Sequence, residues 1–249
     1  MSNVRILTAG EQGLVVEFGN SIDYGINRRV HTLSNKLMER HGGEIIEVVP
    51  TYRSLLVYFD PQVISRQQLT DKITDLMGQD EESQNETTAR VISIPVCYGG
   101  EFGPDIAFVA QHNNLSEAEV IAIHTSTPYL VYMLGFTPGF AYLGGLSERI
   151  AAPRLQQPRT QIPPGTVGIA GTQTGIYPLE TPGGWQLIGR TPMKIFDPSA
   201  ANPFLFNAGD YLHFQPITLE EYEAIGVEAA AGRYQPAIRT MPVKGGGAA

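Results

Sequence analysis

The chain has 249 residues, of which 42% are hydrophobic and 17% charged, with 10 Phe and 11 Tyr. This composition excludes an intrinsically disordered chain, and no apolar run approaches the roughly 18 residues of a membrane span. The formal net charge of -8 at pH 7 excludes non-specific nucleic-acid binding as the default, because no global positive field attracts phosphates.

Cysteine usage and the first residues of the chain bear on its compartment. The one cysteine, Cys97, can form neither an internal disulfide nor a cysteine-based zinc site. The opening MSNVRILTAGEQG lacks the positive and apolar regions of a signal peptide. Because a chain without disulfides is typical of a reducing compartment, we expect a cytoplasmic protein. Cys97 is flanked by strand residues and is expected to be buried and inert.

Residues 1–78 are predicted to form a small α/β domain with the element order β-β-α-β-β-α. The strands are predicted from VRILTAG, LVVEFG, IIEVVPTY and SLLVYFD. Apolar side chains at helical spacing predict the first helix, and they are Ile22, Ile26, Val30, Leu33 and Leu37. The second helix is predicted from SRQQLTDKITDLMG, with Ser65 as its cap. Residues 79–90 are polar and acidic, and their composition predicts a linker.

Residues 91–226 are predicted to form a second domain built mainly of short strands, which gives an α+β fold overall. The strands are expected in TVGIAG, WQLIGR, MKIFD and YLHFQPI, spaced as in an all-β barrel or sandwich. One helix is predicted from about Ser116 to Ser126, with Glu119 completing a capping box. A last helix is predicted to begin at Thr218, and residues 227–249 are predicted to be a C-terminal tail.

Glycine and proline mark one segment of this second domain. The chain has 27 Gly and 18 Pro, a combined fraction of about 18% where about 12% is ordinary. Residues 135–192 hold 11 of the glycines and 8 of the prolines and carry a net charge of +2. The basic residues of the segment are Arg149, Arg154, Arg159 and Arg190. An arginine fork matches a carboxylate or phosphate, so the segment predicts an anion site, unless these arginines only pair with surface acids.

Two stretches of the same segment alternate glycine with aromatic residues, GFTPGFAYLGGL and GTQTGIYPLETPGGW. Such a pattern brings backbone close to a ligand while rings form a wall. A turn-rich barrel corner whose rings belong to the core is the alternative. The candidate binding residues are Phe140, Tyr142, Gln173, Thr174, Tyr177, Trp185 and, through backbone N–H groups, Gly183 and Gly184.

Two isolated residues complete the candidates. His124, at the end of the predicted helix, is either an acid/base group or a satisfied structural histidine. Asp105, in the turn GGEFGPDI, is either a ligand-binding residue or a local turn or cap. The sequence contains no phosphate-binding loop, no serine-nucleophile elbow and no histidine pair at helical spacing. It therefore indicates no metal site, and ATP would have to bind without a Walker loop.

Several stretches together resemble the allophanate hydrolase subunit 1 family. They are GEQGLVVEFGNSID, PTYRSLLVYFDP, IPVCYGGEFGPDI, YLVYMLGFTPGFAYLGGL, the two Pro-Arg pairs at 153–154 and 158–159, and IPPGTVGIAGTQTGIYPLETPGGWQLIGRTP. The resemblance covers about residues 4–225. It is strongest to the 5-oxoprolinase B subunits, a group also described as the sporulation kinase inhibitor family. The chain departs from the family at Pro164, Thr166 and Thr181, where Ala, Ser and Ser are common.

The resemblance implies a cyclophilin-like β-barrel and a polypeptide that acts with partner subunits A and C. It implies opening of 5-oxo-L-proline to L-glutamate, with hydrolysis of ATP, as its magnesium salt, to ADP and phosphate. In that reaction Arg154, Arg159 or Arg190 is expected to bind the substrate carboxylate or the phosphates. The Gly183-Gly184 turn would stabilise negative charge, and His124 would act as acid/base.

Two other functions stay open within the same resemblance. One is a non-catalytic inhibitor of a sensor histidine kinase. The other is a carboxyltransferase-like or allophanate hydrolase subunit 1 role, which the lack of a biotin-carrier lysine motif makes less favoured. Neither nucleic acid nor a membrane is expected as a partner.

Overall fold

The computed structural model describes residues 4–78 and 87–243. The described residues divide into two compact units. The first contains residues 4–78, Thr87 and Thr88 together with Pro242 and Val243, and the second contains Ala89–Met241. Most of the predicted linker 79–90 lies outside the described residues, and its last four residues belong to the first strand of the barrel. Within the described ranges, no helix is both long and apolar enough to span a membrane.

The first unit has the predicted order of strands and helices. Its elements are β1 (Arg5–Thr8), β2 (Gly13–Glu17), α1 (Tyr24–His41), β3 (Ile45–Pro50), β4 (Ser54–Phe59) and α2 (Arg66–Gly78). The antiparallel sheet has the order β1-β2-β4-β3, and α1 packs against β3, β4 and α2. Helix α1 begins after Asp23, whose side chain accepts a hydrogen bond from the Ile26 N–H. Ile22 therefore lies before the helix and is 60% exposed, although the spacing placed it on the buried face.

The second unit confirms the predicted barrel and adds elements that the sequence did not indicate. Its elements are β5 (Thr87–Tyr98), α3 (Ile106–His112), α4 (Glu117–His124), β6 (Tyr129–Leu134), β7 (Ala141–Gly144), a 3-10 helix (Glu148–Ile150), β8 (Arg159–Ile162), β9 (Thr166–Ala170), β10 (Gln173–Ile176), β11 (Thr181–Gly183), β12 (Gln186–Arg190), β13 (Tyr211–Pro216), α5 (Leu219–Ala230) and β14 (Ile238–Val243). Both predicted capping boxes are present, at Ser116 of α4 and Thr218 of α5.

Seven strands close into the barrel, in the order β12-β9-β10-β7-β6-β13-β5 and back to β12. Closure occurs where Gly189 pairs with Tyr98 and Arg190 with Cys97. A side chain at Gly189 would place its Cβ 2.8 Å from the Cys97 carbonyl oxygen, so glycine allows the two backbones to meet here. Aliphatic and aromatic side chains fill the interior. Cys97 is buried, as predicted.

Two sequence predictions in this unit differ from the structure. Met193–Asp197, predicted as a strand, forms no strand, and only an isolated bridge joins Phe196 to Phe204. The predicted tail 227–249 contains the end of α5 and all of β14, which lies beside β5. Strand β5 is 12 residues long and meets β12 only at its last residues. Its first half therefore keeps a free edge for β14, where the Ser93 N–H donates to the Ala237 carbonyl at 2.9 Å.

Candidate functional site

One pocket in the barrel unit gathers most of the residues predicted to bind a ligand. It has a volume of about 160 Å³, below the ~300–1,000 Å³ typical of sites for drug-sized ligands. Its lining residues are Phe136, Phe140, Tyr142, Arg154, Tyr177, Pro182, Gly183, Gly184 and Trp185. All of them come from the glycine- and proline-rich segment. They lie on the loop between β6 and β7, on β7, after the 3-10 helix, within β11 and on both sides of it.

The wall of the pocket is a cluster of aromatic rings around Phe140. Phe140 is buried, and its ring centroid lies 5.3 Å from that of Tyr142 and 5.7 Å from those of Tyr177 and Trp185. All three contacts are edge-to-face, the arrangement that aromatic quadrupoles favour. Because the rings hold one another, the wall is formed before any ligand arrives. Burial raises the pKa of Tyr177 to about 12, so its hydroxyl remains protonated at neutral pH.

The glycine pair in β11 and after it lets the chain pass close to this wall. A Cβ at Gly183 would lie 2.5 Å from the Tyr177 hydroxyl oxygen and 2.8 Å from Cδ1 of Ile162. A Cβ at Gly184 would find no heavy atom nearer than 3.7 Å. Only Gly183 is therefore sterically required, which makes the two neighbours a matched pair.

We expect Gly183→Ala to lower the free energy of unfolding by about 1–3 kcal/mol, because the added methyl group must push Tyr177 or Ile162 aside. Gly184→Ala should have an unfolding midpoint in urea close to that of the wild type. Trp185 is the single tryptophan of the chain, so its fluorescence during urea unfolding follows this unit. Equal unfolding midpoints for the two variants would contradict the close packing at Gly183.

The three candidate arginines have different surroundings. Arg154 is exposed at the pocket, with its guanidinium carbon 5.8 Å from the centre of the Trp185 ring, a cation–π distance. Within the described residues it forms no ion pair with a carboxylate. Its fork of N–H donors is free to take an anion that enters the pocket.

Arg159 is already paired. Its Nη2 donates to Oδ1 of Asp105 at 2.7 Å, and its Nη1 donates to the Trp185 carbonyl at 3.4 Å. The second oxygen of Asp105 accepts a hydrogen bond from the Leu187 N–H at 2.7 Å. Asp105 precedes α3 but makes no side-chain cap with it. The pair therefore ties the start of α3 to β8 and to the backbone that leads from Trp185 into β12, and it positions the pocket wall.

Arg190 lies outside the pocket. Its guanidinium carbon is 5.2 Å from the centre of the Phe102 ring, and that ring lies 4.4 Å from the ring of Tyr222 on α5. Burial raises the pKa of Tyr222, and the charge and hydrogen bond of Arg190 partly oppose this rise. The Nε atom of Arg190 is buried without a hydrogen-bond partner in the described residues. Arg190 thus belongs to a contact between β12 and α5, separate from the aromatic wall.

His124 is placed in the core of the barrel. Its side chain has no exposed surface, and its ring stacks on Phe214 with 4.5 Å between centroids. Its Nε2 lies 2.8 Å from Oγ1 of Thr174, which donates to the Gly168 carbonyl at 3.1 Å. Its Nδ1 lies 2.7 Å from the Tyr98 hydroxyl. The consistent assignment is a neutral ring protonated on Nε2 that accepts from Tyr98.

The environment of His124 is that of a structural residue. Burial lowers its pKa to about 3, so the ring stays neutral at physiological pH, and it does not line the pocket. Thr174 is likewise fully buried as a partner of this ring, and Gln173 is a half-buried residue of β10. The structure does not bring these three residues into contact with the pocket, so the acid/base role predicted for His124 has no geometric support.

No metal centre is visible in the parts of the chain that the structure describes, where three or more His, Cys, Asp or Glu side chains nowhere gather. The described residues that line the pocket are five aromatic residues, one proline, two glycines and one arginine. Such a set suits a small anion with an apolar or flat body better than a cation.

Comparison with known proteins identifies the family. The sequence model of the carboxyltransferase domain, subdomain C and D, matches residues 4–206. A relative from Bacillus subtilis, named as the B subunit of 5-oxoprolinase, is 45% identical over 235 residues, which are 90% of this chain and 98% of the relative. The chain belongs to the family of 5-oxoprolinase B subunits. The family that the sequence motifs resembled is therefore confirmed.

Solved structures agree with this family at the level of fold. The crystal structure of TTHA0988 has a TM-score of 0.74 and 36% identity, covering 83% of this chain and 40% of that chain. The urea carboxylase of Kluyveromyces lactis has a TM-score of 0.79 and 23% identity, covering 97% of this chain and 24% of that protein. This chain thus spans less than half of either polypeptide. The fold of the 5-oxoprolinase B subunits recurs as one part of longer chains.

Sequence reasoning missed two residues of the pocket, Phe136 and Pro182. Both lie in the glycine-rich stretches that pointed to the pocket. Phe136 is the first aromatic residue of GFTPGFAYLGGL. The alternation of glycine and aromatic residues that indicated Phe140 and Tyr142 could therefore have indicated Phe136 as well.

Proposed function

We propose that this chain is a component of an ATP-dependent 5-oxoprolinase that opens 5-oxo-L-proline to L-glutamate in the cytoplasm, together with subunits A and C. The observation that carries the proposal is the alignment with a relative named for that enzyme over 98% of the relative's length. The pocket supports it by its size and lining. At about 160 Å³ the pocket suits a small ring acid rather than a nucleotide.

The chemistry of the reaction explains why ATP is needed. A lactam is a resonance-stabilised amide, and its carbonyl carbon is a poor electrophile near neutral pH. Transfer of the γ-phosphoryl group of ATP to the carbonyl oxygen makes that carbon more electrophilic and releases ADP. Water then adds to that carbon and the C–N bond of the ring breaks, which leaves a free amino group and an acyl phosphate. A second water molecule cleaves the acyl phosphate into the side-chain carboxylate and phosphate. The products are glutamate, ADP and phosphate.

In this proposal Arg154 binds the carboxylate of 5-oxoproline while the aromatic wall contacts the ring. Arg159 is engaged by Asp105 and Arg190 lies beside Phe102, which leaves Arg154 as the candidate for the substrate anion. Backbone N–H groups of the Gly183-Gly184 turn would face negative charge that develops on the substrate.

ATP and its magnesium ion need more positive charge than this pocket offers. Among the described residues, Arg154 is the one cationic side chain that lines the pocket. A triphosphate is usually held by several donors and a metal ion. We therefore propose that subunits A and C supply most of the nucleotide site. The isolated chain should show little turnover, and strong turnover by this chain alone would contradict a shared site.

The test is glutamate release by the reconstituted three-subunit complex, with dependence on both ATP and 5-oxoproline. Arg154→Ala should raise KM for 5-oxoproline by about 10- to 100-fold, because a charge-assisted hydrogen bond contributes about 1.5–3 kcal/mol. Arg154→Lys should give a KM between those of the wild type and Arg154→Ala, since lysine keeps the positive charge but lacks the planar fork of N–H donors. Arg149→Ala removes an exposed arginine outside the pocket and is the matched control.

The outcomes separate the competing functions. An unchanged KM for Arg154→Ala in an active complex would reject Arg154 as the anion site. A mixture of the three subunits that releases no glutamate would reject the enzyme proposal. Inhibition of a sensor histidine kinase by the same chain would then favour the regulator. Carboxyl transfer by the complex would instead favour a role like that of the urea carboxylase relatives.

A further inference from the structure

We propose that Phe136 is the residue that recognises the flat lactam ring of the substrate, and that it lets the pocket distinguish this ring from the ring-opened product. The inference rests on the proposed function and deepens it. Phe136 lines the same pocket as Arg154, so one small ligand can touch both. The ligand class is a planar ring that bears a carboxylate.

The backbone at Phe136 is strained. Its φ is +64°, and among non-glycine residues of the described chain only Asn114 shares a positive φ. Asparagine tolerates this region, whereas a bulky residue rarely adopts it. The Thr137 N–H donates to the Gly135 carbonyl at 2.8 Å, which closes a three-residue turn around Phe136. A turn of this kind with a positive central φ is rare and unfavourable.

The loop that carries Phe136 is held in this shape from both ends. The Gly135 N–H donates to the Phe140 carbonyl at 3.1 Å, and the Phe140 N–H donates to the Thr137 carbonyl at 3.0 Å. Phe140 is itself anchored in the buried aromatic wall. The strained turn is therefore imposed by the surrounding structure, which is the condition under which strain persists at functional sites.

The ring of Phe136 gains little from folding. It is 66% exposed, the largest exposed fraction among the exposed large hydrophobic side chains of the described residues. Its one ring partner among the described residues is Phe140, edge-on at 5.6 Å between centroids. In the next residue, Oγ1 of Thr137 is buried without a hydrogen-bond partner in the described residues. Strain, exposure of a ring and an unpaired hydroxyl in adjacent residues all oppose folding, so they indicate a role in binding.

The position of Phe136 suggests what it binds. The rings of Tyr142, Tyr177 and Trp185 also line the pocket, and Phe136 adds a ring that is more exposed than these. The amide of 5-oxoproline is planar and offers a flat face to such a ring, whereas glutamate is an open chain without one. Contact with Phe136 therefore favours the substrate over the product, while Arg154 binds the carboxylate that both possess.

Three substitutions of Phe136 distinguish the effect of its aromatic ring from the effect of its strained backbone. Phe136→Ala removes the ring and keeps a side chain at positive φ, Phe136→Gly removes both the ring and the strain, and Phe136→Tyr keeps the ring. In the reconstituted complex we expect KM for 5-oxoproline to rise about tenfold in the first two variants, as the loss of an aromatic contact would give. The kcat should change less than about twofold, because the contact is made equally before and during the chemical step.

Two further readouts exclude a merely structural effect. The inhibition constant of glutamate should be unchanged in all three variants, and Phe136→Tyr should retain the wild-type KM. Phe136→Gly should melt at a higher temperature than Phe136→Ala, since only glycine adopts the turn without strain. If Phe136→Ala and Phe136→Gly keep the wild-type KM in an active complex, or weaken glutamate and 5-oxoproline equally, the inference is wrong while the proposed function stands. If the wild-type complex releases no glutamate, both are wrong.

Discussion

An Asp105→Ala variant is expected to lose about 2–3 kcal/mol of the free energy of unfolding of the barrel unit, because it breaks a mostly buried ion pair and a backbone hydrogen bond at once. The carboxylate of Asp105 is 13% exposed and the side chain of Arg159 is 30% exposed, so this value is at the lower end for buried pairs. The Leu187 N–H, which donates to Asp105 at 2.7 Å, loses its acceptor in the same variant.

Urea unfolding followed by Trp185 fluorescence measures this loss. Arg159→Ala should lose less free energy of unfolding than Asp105→Ala, because Asp105 then still accepts a hydrogen bond from the Leu187 N–H. The double variant should be more stable than the sum of the two single effects predicts, by about 1–2 kcal/mol. Glu228→Ala, which removes an exposed pair with Arg233, should leave the unfolding midpoint nearly unchanged. Additive single effects at Asp105 and Arg159 would show that the pair does not position this segment.

The elements that could be predicted are those whose signals lie close together in sequence. The capping boxes of α4 and α5 need a serine or threonine and a glutamate three residues apart, and both were found in the structure. Helix α3 was missed because it is seven residues long and shows no such box. Strand β14 was missed because its pairing depends on a free edge of β5, which the sequence around residues 238–243 does not contain.

Most of the pocket could also be predicted from signals that lie close together in sequence. Seven of its nine lining residues were predicted, because a single stretch of chain supplies them and its glycines, prolines and rings are visible as a local pattern. The different environments of the arginines could not be predicted. Arg159 and Asp105 are 54 residues apart in sequence, and only the folded barrel shows that one arginine is paired while Arg154 is free for an anion.

The buried position of His124 also depends on distant residues, and it makes the stability of the barrel dependent on pH. In the folded protein the pKa of His124 is lowered to about 3 because burial disfavours the charged ring. In the unfolded chain the pKa is near 6.5. Below pH 6.5 the unfolded chain takes up a proton that the folded one does not, so stability is full above pH 6.5 and falls as the pH drops toward 3. The slope from this residue is about 1.4 kcal/mol per pH unit.

Between pH 7.5 and pH 5.0 His124 should therefore lower the free energy of unfolding by about 2 kcal/mol. Urea unfolding at both pH values, followed by Trp185 fluorescence, gives this difference for the wild type. In His124→Gln the amide cannot titrate, so the difference in free energy of unfolding between the two pH values should shrink by that amount. The variant is less stable at both pH values, because it loses ring packing and part of the hydrogen-bond network with Tyr98 and Thr174. His112→Gln replaces an exposed histidine and should keep the wild-type difference. A His124→Gln variant with the full wild-type pH dependence would mean that His124 is protonated in the folded barrel, and it would return this residue to the acid/base candidates.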